Sequence, residues 1–190
     1  MATIGLDKLV YAPITEDKNG NETYGTPVQL AKAISAELSI ELNEAILFAD
    51  DGQSETVKEF KSGTISLGVD DIGNEAAVAL VGATLDSNGV LISGGEDISQ
   101  YVAIGFRAKK SNGKYKYYWL YRVLFGIPAT SLATKGDSIT FSTPTIEGAI
   151  YRRNKPDGKN KHPWKAEVTE TQENSETINA WYNSVYEPEY

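Results

Sequence analysis

Ala33-Ile34-Ser35-Ala36-Glu37-Leu38-Ser39-Ile40-Glu41-Leu42 is the stretch on which the reading of this chain turns. Ile34, Ala36, Leu38, Ile40 and Leu42 fall on one side of a two-residue period, and Ser35, Glu37, Ser39 and Glu41 on the other. Successive side chains of a strand point to opposite faces, so the pattern predicts a strand with one buried and one wet face. Gly63–Val69 repeats the pattern, with Ile65, Leu67 and Val69 inward and Thr64, Ser66 and Gly68 outward. Between them, residues 43–62, around Asp50-Asp51-Gly52-Gln53-Ser54-Glu55, read as a loop. A connection of that length in a compact domain points to an interaction loop.

Outward from this pair the chain reads as mostly β. Strands are predicted at Lys8–Pro13, Val90–Ser93, Tyr101–Lys109, Tyr115–Phe125, Ser138–Ser142, Thr145–Arg152 and Trp164–Thr169. Asn19-Gly20, Asn88-Gly89, Asn112-Gly113 and Asp157-Gly158 supply pairs that tolerate the positive φ of tight turns. Two helices are predicted. Asn74–Gly82 is apolar nearly all round, as expected of a helix packed on a sheet. Near the end, Asn174 or Ser175 caps a helix that aligns Ile178, Trp181, Tyr182 and Val185 on one face. Glu187-Pro188-Glu189-Tyr190 then form a short arm. No repeat or linker divides the 190 residues, which read as one domain.

An apolar content of 41% and a charged content of 23% are ordinary for a folded domain. No apolar run is long enough for a membrane helix, and the opening Met1–Asp7 has no signal-peptide pattern. The absence of cysteine excludes disulfides and thiolate metal sites and fits a cytosolic folding compartment. A net charge of −8 argues against a surface that grips nucleic acid. The charge is also segregated along the chain. Residues 1–100 carry 17 acidic and 5 basic side chains, residues 101–165 carry 3 and 13, and residues 166–190 carry 6 acidic and no basic ones. Such blocks either dissolve on folding or suit a protein that meets its own copies head to tail.

The residues offer no converging catalytic set. His162 is the lone histidine, beside Pro163, and reads as a turn residue at a strand start. Neither a nucleophile elbow nor a phosphate-binding glycine motif is present. Asp50-Asp51 and Asp70-Asp71 are adjacent pairs, which a strand splits between its faces. Glu37 and Glu41 share a face but lie roughly 13 Å apart, too far for paired glycosidase carboxylates. Asp17–Glu22 superficially looks like a calcium loop, but its glycine and the residue at its twelfth position are wrong, so it reads as a hairpin turn. Tyr115, Tyr117, Tyr118, Trp119 and Tyr121 alternate with Lys114, Lys116 and Arg122. A strand buried on both faces accounts for them better than a stacking platform for nucleic acid. The chain therefore reads as a non-enzyme without metal or cofactor.

Several strings together resemble one family of phage major tail proteins. They are Ile4–Leu9 with Tyr24–Pro27, Phe60–Asp71, Ile104–Lys109, Gly136–Gly148, and the ending around Trp181-Tyr182 and Tyr186–Pro188. The resemblance implies a mainly β fold, a two-sheet β-sandwich or barrel of the tail-tube type, with one short flanking helix and a C-terminal helix. It implies hexameric rings stacked head to tail into a non-contractile tail tube. Partners would be other copies, a tape measure protein, tail terminator and distal tail proteins. Phage DNA would transit the lumen without specific binding, and no membrane would be involved. The protein would be assembled in the host cytoplasm and reside in the virion. Carried onto this sequence, Glu37, Ser39, Glu41, Thr64 and Ser66 would line the lumen. The loop 43–62, with Asp50, Asp51, Glu55 and Glu59, would stack one ring on the next, helped by the terminal arms. Alternatives are the inner tube of a contractile tail or phage-derived injection device and, from a different class, a carbohydrate-binding β-sandwich.

Overall fold

The computed structural model describes residues 2–18, 20–49, 52–130, 134 and 142–190, with the backbone alone at 47–49 and 52–55. The long strands are β1 (Thr3–Glu16), β4 (Ala33–Ala49), β5 (Gly52–Val69), β8 (Tyr101–Lys110), β9 (Tyr115–Phe125) and β10 (Thr145–Tyr151). Shorter ones are β2 (Glu22–Tyr24), β3 (Val28–Ala31), β6 (Thr84–Leu85), β7 (Leu91–Ile92) and β11 (Lys165–Thr169). Helices α1 (Asn74–Val81) and α2 (Ser175–Ala180) complete the described elements. The fold is mainly antiparallel β and sandwich-like, as expected. Nine strands form one sheet in the order β2-β1-β8-β9-β10-β5-β4, with β3 on β1 and β11 on β9, while β6 and β7 pair apart from it.

Two apolar clusters lie on opposite faces of this sheet. The first draws Leu9, Ile65, Leu67, Ile104, Leu120, Val123, Ile146 and Ile150 from the long strands and is covered by Leu80 and its neighbours on α1. Gly82 closes α1 in the left-handed region at φ 75°. A side chain there would meet the Ile98 carbonyl at 2.3 Å, so glycine is required twice over. The second cluster gathers Ala12, Ala103, Tyr117, Trp119 and Tyr121 under Trp181 and Val185. A register irregularity between Val102 and Ile104 explains how Leu120 and Val123 both reach the first cluster while Trp119 and Tyr121 reach the second. The aromatic strand is thus buried on both faces.

Several sequence expectations need correction. The described residues of 43–62 are not an irregular loop: β4 and β5 stay paired, with three register shifts, from Ala33–Val69 to Ala49–Gly52. The apolar side of β4 is only half covered, because Ala36 and Ile40 pack on the core but Ile34, Leu38 and Leu42 are 55%, 38% and 56% exposed. The C-terminal helix ends at Ala180, although Trp181 and Val185 are buried on the face expected. Asn174 turns its side chain back to the Thr171 amide and the Thr169 carbonyl instead of capping the helix. Near Asp157 the positive φ falls on Asn160, not on Gly158. The strand expected at Ser138–Ser142 lies outside the described residues save for Ser142.

Candidate functional site

Cross-strand partners in an antiparallel pair share a face, so the register fixes which polar residues stand together. Glu37 pairs with Ser66, Ser39 with Thr64 and Glu41 with Ser62. On the far side of β5, Glu147 pairs with Ser66 and Ala149 with Thr64. The five residues named as lining therefore come together on one face of β4 and β5. Ser62 and Glu147 join them, although they were missed in the sequence. The alternation of Thr145-Ile146-Glu147-Gly148-Ala149-Ile150 carries the signal for Glu147, but only the strand order brings it beside Ser66. Glu41 is held by Lys61 Nζ at 3.3 Å and by Ser62 Oγ at 3.3 Å.

This polar band and the aromatic cluster occupy the same side of the sheet. Where the chain covers that side with its own segment 181–186, the strands present Tyr117, Trp119 and Tyr121. Where no described segment covers it, they present Glu37, Ser39, Glu41, Thr64 and Glu147, all exposed. The change of chemistry follows the change of neighbour, from protein to water.

Beyond this band the β4–β5 hairpin leaves the body. The pairing of β10 with β5 stops at Gly63, while the pairing of β5 with β4 continues to Gly52. The register slips between Glu41 and Leu42, where Lys61 is the extra residue, and Phe60 stacks on Trp164 with ring centroids 4.8 Å apart. Above that anchor the ribbon extends by roughly 26 Å for eight strand residues. Its described side chains are all exposed, including Leu42, Ile46 and Val57. Glu44 pairs with Lys58 at 3.2 Å. Glu59 lies opposite Asn43, on the face of Glu41, so it extends the polar band rather than standing apart from it. Asp50 and Asp51 lie outside the described residues, and Glu55 is described by its backbone pairing with Leu47 alone.

The remaining sequence candidates serve local structure. Asp70 Oδ1 accepts the Lys32 and Asp71 amides, and these bonds hold its carboxyl below the ordinary value of 3.8. Asp71 accepts the amide of Ile72. Asp17 closes the hairpin turn onto Asn21, as the sequence suggested. His162 Nδ1 lies 3.0 Å from the Arg153 carbonyl, just before β11.

Sequence reasoning missed a charged network beneath the sheet edge. Arg122 joins Glu16 and the fully buried carboxylate of Glu22. Glu22 Oε2 also accepts the Asn154 and Lys155 amides at 2.8 and 3.2 Å. Arg153 and Lys155 bind Glu187 at 2.8 and 3.0 Å. On the same sheet, Arg107 holds Asp7 through two hydrogen bonds of 2.6 and 2.8 Å, and Lys116 holds Glu167 at 2.8 Å. The basic middle of the chain thus pairs with the acidic beginning and the acidic end. Much of the charge segregation is consumed within the subunit, so it is no sign by itself of head-to-tail contact.

No protein-family model matches the chain, and no curated protein matches it. Among the described residues no helix is long and apolar enough to cross a membrane.

Proposed function

We propose that this chain is a structural subunit that builds a phage tail tube, closing into rings, six-membered by the family resemblance, that stack around a DNA conduit. The observation that carries the reading is the free-standing ribbon of β4 and β5. A two-stranded hairpin alone is marginal in water, and above Gly63 no further described strand pairs with either edge of this one, while Leu42, Ile46 and Val57 are exposed. Burial by other copies of the same chain satisfies both the edges and the apolar side chains. An edge that meets a different edge on its neighbour makes a heterologous contact, which generates rings when the rotation closes and filaments along an axis when it does not.

The polar band supports the same reading. Glu37, Ser39, Glu41, Thr64, Ser66 and Glu147 make an acidic surface, and duplex DNA carries one charge per about 1.7 Å of axis. A bore lined in this way repels DNA weakly and lets it pass, whereas lysines would retain it by counterion release. Tape measure, terminator and distal tail proteins are the partners that such a tube requires.

Electron microscopy of the purified protein is expected to show hollow tubes or rings. A persistent monomer, also in the presence of the other tail components, would sink the proposal. In assembled particles, Glu37→Lys with Glu41→Lys is expected to leave tubes intact and slow genome release. Unchanged release kinetics would remove these residues from the lumen.

A further inference from the structure

The arm Glu187–Tyr190 was expected from the resemblance to help join one ring to the next, yet it and the two residues before it lie on their own subunit at four points. Val185 is buried in the aromatic cluster, and Tyr186 stacks on Trp181 with centroids 5.0 Å apart. Tyr121 Oη donates to the Tyr186 carbonyl at 2.8 Å. Glu187 accepts from Arg153 Nη1 and Lys155 Nζ. Tyr190 Oη donates to Asp157 Oδ2 at 2.7 Å, and Lys159 Nζ sits 4.0 Å above its ring. Gly158 makes room for this last contact, since a Cβ there would approach the Tyr190 ring to 3.2 Å.

The decisive feature is the asymmetry of the Arg153–Glu187 pair. The Arg153 side chain is fully buried, whereas that of Glu187 is 40% exposed and has a second cation, Lys155. Arg153 lies against the Tyr121 ring at 4.7 Å, and Glu187 is the carboxylate that pairs with it among the described residues. If the segment lifts, a guanidinium in the protein interior loses its counter-charge; if Arg153 is lost, Glu187 keeps Lys155 and water.

We propose that Arg153 and Glu187 form a latch, which holds the 185–190 segment on its own subunit and seals the aromatic face of the sheet. The segment is then part of the fold and not a tether free to bind a neighbour. The latch also links distant parts of the chain, because Lys155 and Asn154 are tied through their amides to Glu22 on β2. This inference concerns the single subunit and stands whether or not the chain builds tubes.

The test compares Glu187→Gln, Arg153→Met and the double variant by hydrogen exchange across 185–190 and by thermal unfolding of the full chain. Removing one partner of a buried pair strands the other, while removing both does not. Glu187→Gln is expected to raise exchange of these amides roughly tenfold or more. Arg153→Met, which removes the contact but strands no buried charge because Glu187 keeps Lys155, should raise it less, and the double variant should behave like Arg153→Met. Unchanged exchange in Glu187→Gln overturns the latch. So does a double variant no better than Glu187→Gln, including the case in which neither folds. If Glu187→Gln alone fails to fold and the double variant recovers, the latch is supported.

Discussion

Glu22 closes a stretch, Asp17–Glu22, whose residue types all suit a surface turn, yet its carboxylate is sealed beneath the sheet edge against Arg122. Nothing local distinguishes it from Glu16, its partly exposed companion. The difference is made by Arg122, Asn154 and Lys155, which arrive from more than ninety residues away in sequence. Glu22→Gln keeps the shape but removes the buried one of the two carboxylates on Arg122, leaving Glu16 as its counter-charge, and is expected to destabilise the subunit by about 1–3 kcal/mol in urea unfolding. Asp70 illustrates a different kind of residue, exposed but held by backbone amides. Its carboxyl is depressed first by the Lys32 amide, so its contribution is present above the ordinary value of 3.8 and is lost as pH falls through the lower folded value. Asp70→Asn should therefore show a shallower decline of melting temperature below pH 4 than the parent chain, and parallel declines would contradict this assignment.

At the level of elements, the 17-residue β4 and the 18-residue β5 mark the limit of pattern reading. Period-two alternation arises because one face of a strand is buried and the other is wet. It is clear over Ala33–Leu42 and Gly63–Val69, where the strands border the core. Above Phe60 the described side chains of neither face of the ribbon pack on the subunit, so the sequence there lacks alternation and reads as a loop. Lys61, the extra residue of the bulge, breaks the phase further. The polar band was legible for the same reason that the ribbon was not, since Glu37, Ser39 and Glu41 stand opposite apolar residues that do meet the core. Leu42→Glu with Ile46→Glu is expected to leave the melting temperature of the isolated subunit within a few degrees of the parent, both positions being already exposed. If the ribbon is the contact between copies, the same variant abolishes assembly in sedimentation. Tubes formed as readily as by the parent chain would remove the ribbon from the interface.

For the whole molecule, strand order governs both charge and cooperativity. The acidic first hundred residues and the basic middle look like separate blocks along the chain, but β1 lies beside β8 and β2 approaches the end of β10, so the blocks interlock. The two apolar clusters share the sheet between them, with β8 and β9 contributing to both. Unfolding is accordingly expected as one transition, with tryptophan fluorescence, to which Trp119 and Trp181 of the aromatic cluster and Trp164 of the first cluster contribute, and far-ultraviolet circular dichroism giving the same midpoint. Separate midpoints would show that the aromatic cluster opens independently of the first core.

The sequence by itself determined the β class, the main strands, the buried character of the aromatic strand on both faces and the five polar residues that share a face. These follow from local rules of alternation, turn chemistry and composition, which act within a few residues. Only the tertiary structure decided that residues 43–49 and 52–62 continue as paired strands, that Glu147 joins the polar band, that Glu22 and Arg153 are buried, and that the 185–190 segment closes on its own subunit. Each of these depends on which strand lies beside which, and that choice is made by contacts between residues distant in the chain.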